Sequence, residues 1–275
     1  MGRQRGKLSF DDILQRLSPR DRVYSELEAS RIIDNVIGFI PASDCCDTSI
    51  LVSNLAALLA ARQYSVCILD NKVFYPSIYK ILDCEANPRD RGLIKLLRSD
   101  RVDFRDEINS TRYKNLFLLS PSPMDAMEDY FDFTFGDIER VMAAVKDMFD
   151  LVIVDIPNIP PLEFCVSSIK HCNTGFFVWS ERIECPQNTE KFLEFVGSLG
   201  IGASKFANIV INNISGLNFD REVISEMKMK LVAEFPFIPK VADFSIEGKV
   251  YIQDSTLLEK RFERALNALA DVIAG

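Results

Sequence analysis

The sequence predicts an α/β protein, a doubly wound and mostly parallel sheet flanked by helices. Three observations predict it. Apolar, β-branched runs recur at residues 36–40, 66–69, 116–119, 151–154, 175–179 and 209–211 without polar alternation, the pattern of strands buried on both faces. Segments of helical periodicity lie between these runs. The first run leads through a polar turn, residues 41–49, into a long apolar helical segment, a strand–loop–helix unit whose helix N-terminus suits an anion.

The elements follow in order. Ser9 caps a first short helix over residues 10–17, and Ser18-Pro19 carries the cap-then-proline signature of a second that reaches about Arg31. Residues 1–34 thus read as an N-terminal helical extension, and residues 35–275 as one α/β domain. The helix over residues 50–62 carries Leu51, Leu55, Leu58 and Leu59 at helical spacing. Residues 83–112 are polar and charge-rich and read as a mobile excursion. Helices over 135–149, 186–199 and 219–230 continue the alternation. Residues 255–274 place Leu258, Phe262, Ala265, Leu266 and Leu269 on one stripe and close the chain. Glu259, Glu263 and Asp271 balance the basic residues there, so the stripe reads as core-facing rather than as a membrane-surface helix. The βαβ rhythm implies right-handed crossovers.

Composition bounds the function. The 275 residues suffice for one large domain. Hydrophobic residues make up 48%, yet no apolar run approaches the ~18 residues of a membrane span. The basic start, residues 1–7, is followed by a charged amphipathic stretch rather than a signal core. A cytoplasmic protein is expected, with membrane contact at most peripheral or through recruitment. A net charge of −8 argues against a broad nucleic-acid surface. Seven cysteines are scattered without paired metal-ligand spacing, which suits a reducing compartment.

The turn after the first strand is the candidate site. A strand, a loop and a helix in that order frame a phosphate-binding loop, in which glycines and a lysine wrap phosphates. Here the loop reads Pro41-Ala42-Ser43-Asp44-Cys45-Cys46-Asp47-Thr48-Ser49, with no glycine and no lysine.

From residue 35 onward the chain resembles the MinD/ParA class of deviant Walker ATPases. That class writes its loop Pro-Lys-Gly-Gly-x-Gly-Lys-Thr-Thr. Pro41, Thr48 and Ser49 match; Ala42 stands at the signature lysine, Ser43, Asp44 and Cys46 at the three glycines, and Asp47 at the phosphate-binding lysine. Asp70-Asn71-Lys72 resembles the Asp-x-Asp strand end, with lysine at the second aspartate, and Tyr75-Pro76-Ser77 resembles the start of the following helix. Asp150 to Pro157 resembles the Walker B strand, ending on Asp155. Asn212, with Asn213, matches the strand whose asparagine reads adenine, and Phe237-Ile238-Pro239 the later Ile-Pro turn. Within the class, Asn115 to Ser122 and the extended N-terminus are similar to CpaE/TadZ localisation factors of pilus systems. Val23 to Leu27 and the Pro-Ser step are similar to the cytoplasmic half of bacterial tyrosine kinases, although no tyrosine follows Tyr251.

The substitutions carry physical consequences. Side chains at Ser43, Asp44 and Cys46 tolerate the left-handed angles of a phosphate loop poorly, aspartate least badly. Asp47 repels phosphates that a lysine attracts; a unit charge pair at 4 Å is worth about 4 kcal/mol at an effective dielectric of 20. Reversing its sign removes several decades of affinity. Asp47 also reads as the helix N-cap, its carboxylate filling the anion site. Asp44 is solvated or shares a cation with Asp155. The resemblance gives Thr48 and Asp155 to magnesium, and without phosphates magnesium loses most of its ligands; Asp155 then bonds Thr48 or loop N–H groups. The reciprocal changes at 47 and 72 point to an ion pair of Lys72 with Asp155 or Asp47. Cys45-Cys46 is either small apolar packing or a thiol site at a helix N-terminus. Asn212 and Asn213 are adenine-site remnants or turn residues.

The resulting expectation is a pseudo-ATPase without a cofactor, serving as a scaffold or as a localisation or regulatory partner of a bacterial pilus, secretion or cell-pole machine. Its partners are proteins, including a homodimer or a heterodimer with an active paralogue, and not nucleic acid. The alternatives are a slow MinD/ParA-family ATPase using ATP and magnesium, or a tyrosine-kinase-like regulatory ATPase domain.

Overall fold

The computed structural model describes residues 35–99, 101–216 and 221–274. The helices expected over 10–17 and 18–31, and with them the extension 1–34, lie outside the described residues, as does the start of the segment 219–230.

Eight strands form one sheet: β1 (Val36–Pro41), β2 (Val66–Asp70), β3 (Asn109–Ser110), β4 (Leu116–Leu119), β5 (Leu151–Asp155), β6 (Thr174–Trp179), β7 (Asn208–Asn212) and β8 (Lys230–Phe235). Their order is β3-β4-β2-β5-β1-β6-β7-β8. Every pairing is parallel except β3 with β4. The six apolar runs are the six central strands. Every residue of β1, β2 and β5 is buried, which explains their lack of alternation.

Helices flank the sheet. They are α1 (Thr48–Ala61), α2 (Ile78–Ile81), α3 (Leu93–Arg98), α4 (Phe135–Met148), α5 (Leu162–His171), α6 (Glu184–Ser198), α7 (Glu222–Glu226), α8 (Pro239–Ile246), α9 (Tyr251–Asp254) and α10 (Lys260–Ala274). Helix α1 is apolar on nearly all sides because β1, β2 and β5 lie under it and α9 and α10 over it. The stripe of α10 buries Phe262, Leu266, Leu269 and Ala270, and the helix packs on β8 and α1. Thr134 and Asp137 make a reciprocal capping box that starts α4. Among the described residues no helix is long and apolar enough to cross a membrane.

Three expectations change. Residues 83–112 are not a loose excursion: Leu93, Ile94, Leu96 and Leu97 of α3 are buried. The buried Glu107 anchors that helix. It sits 3.1 Å from Arg91 Nε and 2.8 Å from Lys95 Nζ, and accepts the Gly92 N–H at 2.8 Å. The helix expected to run to residue 230 ends earlier, because Lys228 turns the chain at φ 57. Residues 230–235 then become the edge strand β8, half-buried and partly polar, which gives only a weak strand signal.

Four of the six central strands run past their apolar cores into polar or conformationally special residues. Pro41, Asp70, Asp155 and Asn212 are the last residues of β1, β2, β5 and β7. All four therefore reach the carboxyl end of the sheet, where open α/β sheets build their sites.

Close approach at β6 gives a test of the packing. A Cβ at Gly175 would stand 2.2 Å from the Phe206 ring. Gly175→Ala should therefore destabilise the chain by about 1–3 kcal/mol through overpacking, with each kcal/mol lowering Tm by about 2–4 °C at this size. Thermal unfolding measures the loss, and adding Phe206→Leu should recover part of it.

Candidate functional site

The loop from β1 to α1 is held from three sides. Its Ala42 N–H donates to the Val178 carbonyl at 3.0 Å, extending the β1–β6 pairing. Asn188 Nδ2 donates to the Ala42 carbonyl at 2.9 Å, and Asn212 Nδ2 to the Cys46 carbonyl at 3.0 Å. Ala42, Ser43 and Cys46 are buried, whereas Asp44, Cys45 and Asp47 face solvent.

Two expectations for the loop fail. Only Asp47 takes a left-handed angle, φ 47, so Ser43, Asp44 and Cys46 carry none of the strain expected of them. That same angle undoes the carboxylate cap: Asp47 occupies the N-cap position of α1, but no side chain caps the helix. A capping side chain needs an extended backbone at that residue; in the left-handed region the carboxylate turns away. The Asp47 carbonyl instead accepts the N–H groups of Ile50 and Leu51 at 3.1 and 3.2 Å.

The polar centre lies one step deeper. Lys72 Nζ sits 2.9 Å from Asp155 Oδ1 and donates to Ser49 Oγ at 3.1 Å. Ser49 Oγ donates in turn to Asp155 Oδ2 at 2.5 Å. Of the two ion pairs open to Lys72 the structure forms the one with Asp155, and Asp155 bonds Ser49 rather than Thr48. Thr48 Oγ1 is buried with no hydrogen-bond partner. Register places Asp70 directly beside Asp155 across β2 and β5. The Lys72 N–H donates to Asp70 Oδ1 at 3.1 Å, and Asp70 Oδ2 is left without a partner. Burial, then the Asp155 charge, push the Asp70 carboxyl up to about 7 against the opposing pull of Lys72.

Around this triad opens a cavity of about 670 Å³. Thr48, Ser49 and Lys72 form its floor; Val73, Phe74, Tyr75, Pro157, Ile159 and Ile246 give it mostly apolar walls, and Lys80 adds a second cation. Tyr75, Ile159 and Ile246 are exposed on its rim. A smaller cavity of about 160 Å³ lies beside Asn212, Asn213, Phe237 and Pro239. Both asparagines there are engaged, Asn212 on the loop and Asn213 on the Phe235 carbonyl at 2.7 Å. Both make bonds that position turns.

Sequence reading missed Glu181 and Cys185. Glu181 accepts the consecutive N–H groups of Ile214, Ser215 and Gly216 at 2.8, 3.0 and 2.7 Å. Although it is partly buried, these bonds hold its carboxyl below the ordinary range. Ser215-Gly216 signals the turn, but nothing local signals which anion fills it. Cys185, in the first turn of α6, meets Cys46 across the loop. The nearness of the two thiols, with burial, pushes Cys46 up, and the same nearness holds Cys185 down to about 6.

The architecture is the MinD/ParA P-loop NTPase fold. No protein-family model matches the chain, and no curated protein matches its sequence. Solved structures do match. The septum site-determining protein MinD complexed with Mg-ADP, from Pyrococcus horikoshii OT3, aligns at TM-score 0.72 and 16% identity over 87% of this chain and 96% of that one. A ParA family ATPase from Chlorobium tepidum TLS aligns at TM-score 0.72 and 16% identity over 86% and 98%. The MinC:MinD cell division protein complex of Aquifex aeolicus gives TM-score 0.71 and 17% identity over 87% and 95%. At such identities the likeness is one of fold.

The raised Asp70 carboxyl sets a pH dependence. Its folded-state value of about 7 lies above the ordinary 3.8, so the folded state holds the proton more tightly. The contribution of Asp70 to stability is full below about pH 4 and is lost as pH rises through about 7. Asp70→Asn should therefore be more stable than the wild type at pH 8, with the advantage shrinking steadily towards pH 4. Urea denaturation across that range measures it; an advantage independent of pH contradicts the assignment.

Proposed function

We propose that this chain is a pseudo-ATPase of the MinD/ParA fold. It serves as a scaffold, or as a localisation or regulatory partner, of a bacterial pilus, secretion or cell-pole machine. The observation that carries the reading is the position of Lys72. Its ammonium lies 2.9 Å from Asp155 and 3.1 Å from Ser49, and in the MinD/ParA pattern Asp155 serves magnesium. A cation fixed to the chain does not fit beside a divalent metal on one buried carboxylate. Asp47 at the lysine position and Ala42 at the signature position remove the two cations that would meet a triphosphate. The Asn212 amide is spent on the Cys46 carbonyl. These residues do not fit magnesium and a nucleotide, and no step of hydrolysis is assigned to them.

The same end of the sheet suits protein contact. Tyr75, Ile159 and Ile246 stand exposed around the cavity mouth, and Ile183 is 91% exposed just before α6. Apolar side chains clustered on a rim favour a partner surface. The MinD of the MinC:MinD complex has a protein partner on this fold. Without the signature lysine, any homodimer, or heterodimer with an active paralogue, forms independently of nucleotide.

One observation favours a second reading, slow ATP binding and hydrolysis: Thr48 Oγ1 is buried and unpartnered beside an uncapped helix N-terminus, where an anion is welcome. Isothermal titration with magnesium-ATP separates the two. The pseudo-ATPase gives no saturable heat up to about 1 mM, a binding free energy weaker than about −4 kcal/mol. Micromolar binding, with turnover that disappears in Asp155→Ala, establishes the second reading instead.

A further inference from the structure

The loop makes a second buried contact that the pseudo-ATPase reading does not use. Cys46 and Cys185 are both fully buried. Ser43 Oγ lies 3.4 Å from Cys46 Sγ and 3.7 Å from Cys185 Sγ. Ser180 Oγ lies 3.9 Å from each sulfur. Two thiols far apart in sequence thus share the same two hydroxyls. A pair of sulfurs packed for volume alone needs neither hydroxyl; small apolar neighbours serve that role. Cys45, next in the loop, differs: it is exposed, with the Arg182 guanidinium 3.8 Å from its sulfur.

We propose that Cys46 and Cys185 form a redox-active dithiol, which a peroxide converts into an intramolecular disulfide that pins the loop to the first turn of α6. The proposal goes beyond the pseudo-ATPase reading and does not depend on it. Cys185 is the attacking sulfur, because it sits in the first turn of a 15-residue helix, where a thiolate is favoured. Its sulfur attacks one oxygen of hydrogen peroxide. The O–O bond breaks, hydroxide leaves and takes up the thiol proton as water, and Cys185 becomes a sulfenic acid. Cys46 sulfur then attacks Cys185 sulfur; the S–O bond breaks, and the departing hydroxide leaves as water with the Cys46 proton. Two thiols and one peroxide give one disulfide and two waters, two electrons passing from sulfur to oxygen.

Geometry and access support the step. A disulfide needs its sulfurs at about 2.0 Å, and two thiols held on the same two hydroxyls, at 3.4 to 3.9 Å from each, approach one another by side-chain rotation with a small shift of the loop. Asp44 and Cys45, next to Cys46 in the loop, and Arg182 and Ile183, just before Cys185, are all exposed. A small opening of those segments admits a molecule of peroxide size.

The test uses the full chain, reduced, then exposed to equimolar hydrogen peroxide. Free thiols are blocked with N-ethylmaleimide in denaturant, and the chain is digested without reductant for mass spectrometry. The expected result is a dominant peptide pair linking Cys46 to Cys185, two hydrogens lighter than its parts. It should persist in Cys45→Ser, vanish in Cys185→Ser and be released by dithiothreitol. Amide exchange of residues 42–47 should slow at least about tenfold on oxidation of the wild type. Recovery of both Cys46 and Cys185 as maleimide adducts while Cys45 is oxidised would overturn the proposal, as would a crosslink that joins either of them to any other cysteine. Because the decisive reading is made on the wild type, it survives misfolding of any variant.

Discussion

An ammonium held on a buried carboxylate governs this site. Asp155 is wholly buried at the end of β5, and β2 sets Asp70 beside it in register. Two adjacent carboxyls in a dry interior need a counter-charge, or one of them must hold a proton. Lys72 supplies the charge to Asp155, and the raised Asp70 carboxyl takes the second route. Ser49 ties the pair to α1, so one polar triad joins the first helix to β5 and to the turn after β2. Removing the lysine leaves a buried carboxylate alone. Restoring a metal there requires the lysine to leave.

The sheet makes this arrangement unavoidable once the strands are in register. Strands β1, β2, β5 and β7 end in Pro41, Asp70, Asp155 and Asn212, and parallel pairing delivers all four ends to one rim. The loop after β1 then closes over them. Its backbone is held by Asn188 and Asn212, and its side chains divide cleanly between buried Ser43 and Cys46 and exposed Asp44, Cys45 and Asp47. Such a loop is rigid where it meets the core and chemically free where it meets solvent.

Much of this was legible in the sequence, and the parts that were not share a cause. The six central strands announced themselves because burial on both faces leaves no polar residue to interrupt them. The Walker B run fixed Asp155, and the exchange of charge at Lys72 pointed to an ion pair with Asp155 or Asp47, of which the structure forms the first. Edge strand β8 was hidden because half-burial and a preceding Met-Lys-Met-Lys stretch imitate a helix. Helix α3 was hidden because Glu107, which neutralises Arg91 just before the helix and Lys95 within it, comes from a neighbouring segment. The orientation of the Asp47 side chain depended on one backbone angle that residue type alone does not dictate. The approach of Cys46 to Cys185, and of Glu181 to the turn after β7, arises only when β6 settles beside β1 and β7 beside β6. Such contacts are products of topology, and local pattern carries no trace of them.

The most direct measurement is a double-mutant cycle on Lys72 and Asp155 by equilibrium urea unfolding at pH 7, using Lys72→Met, Asp155→Asn and the double variant. An ammonium paired with that buried carboxylate predicts a coupling of about 2–4 kcal/mol, with the double variant recovering much of the loss from Lys72→Met alone. Strict additivity of the two single changes would contradict the central role given to this pair.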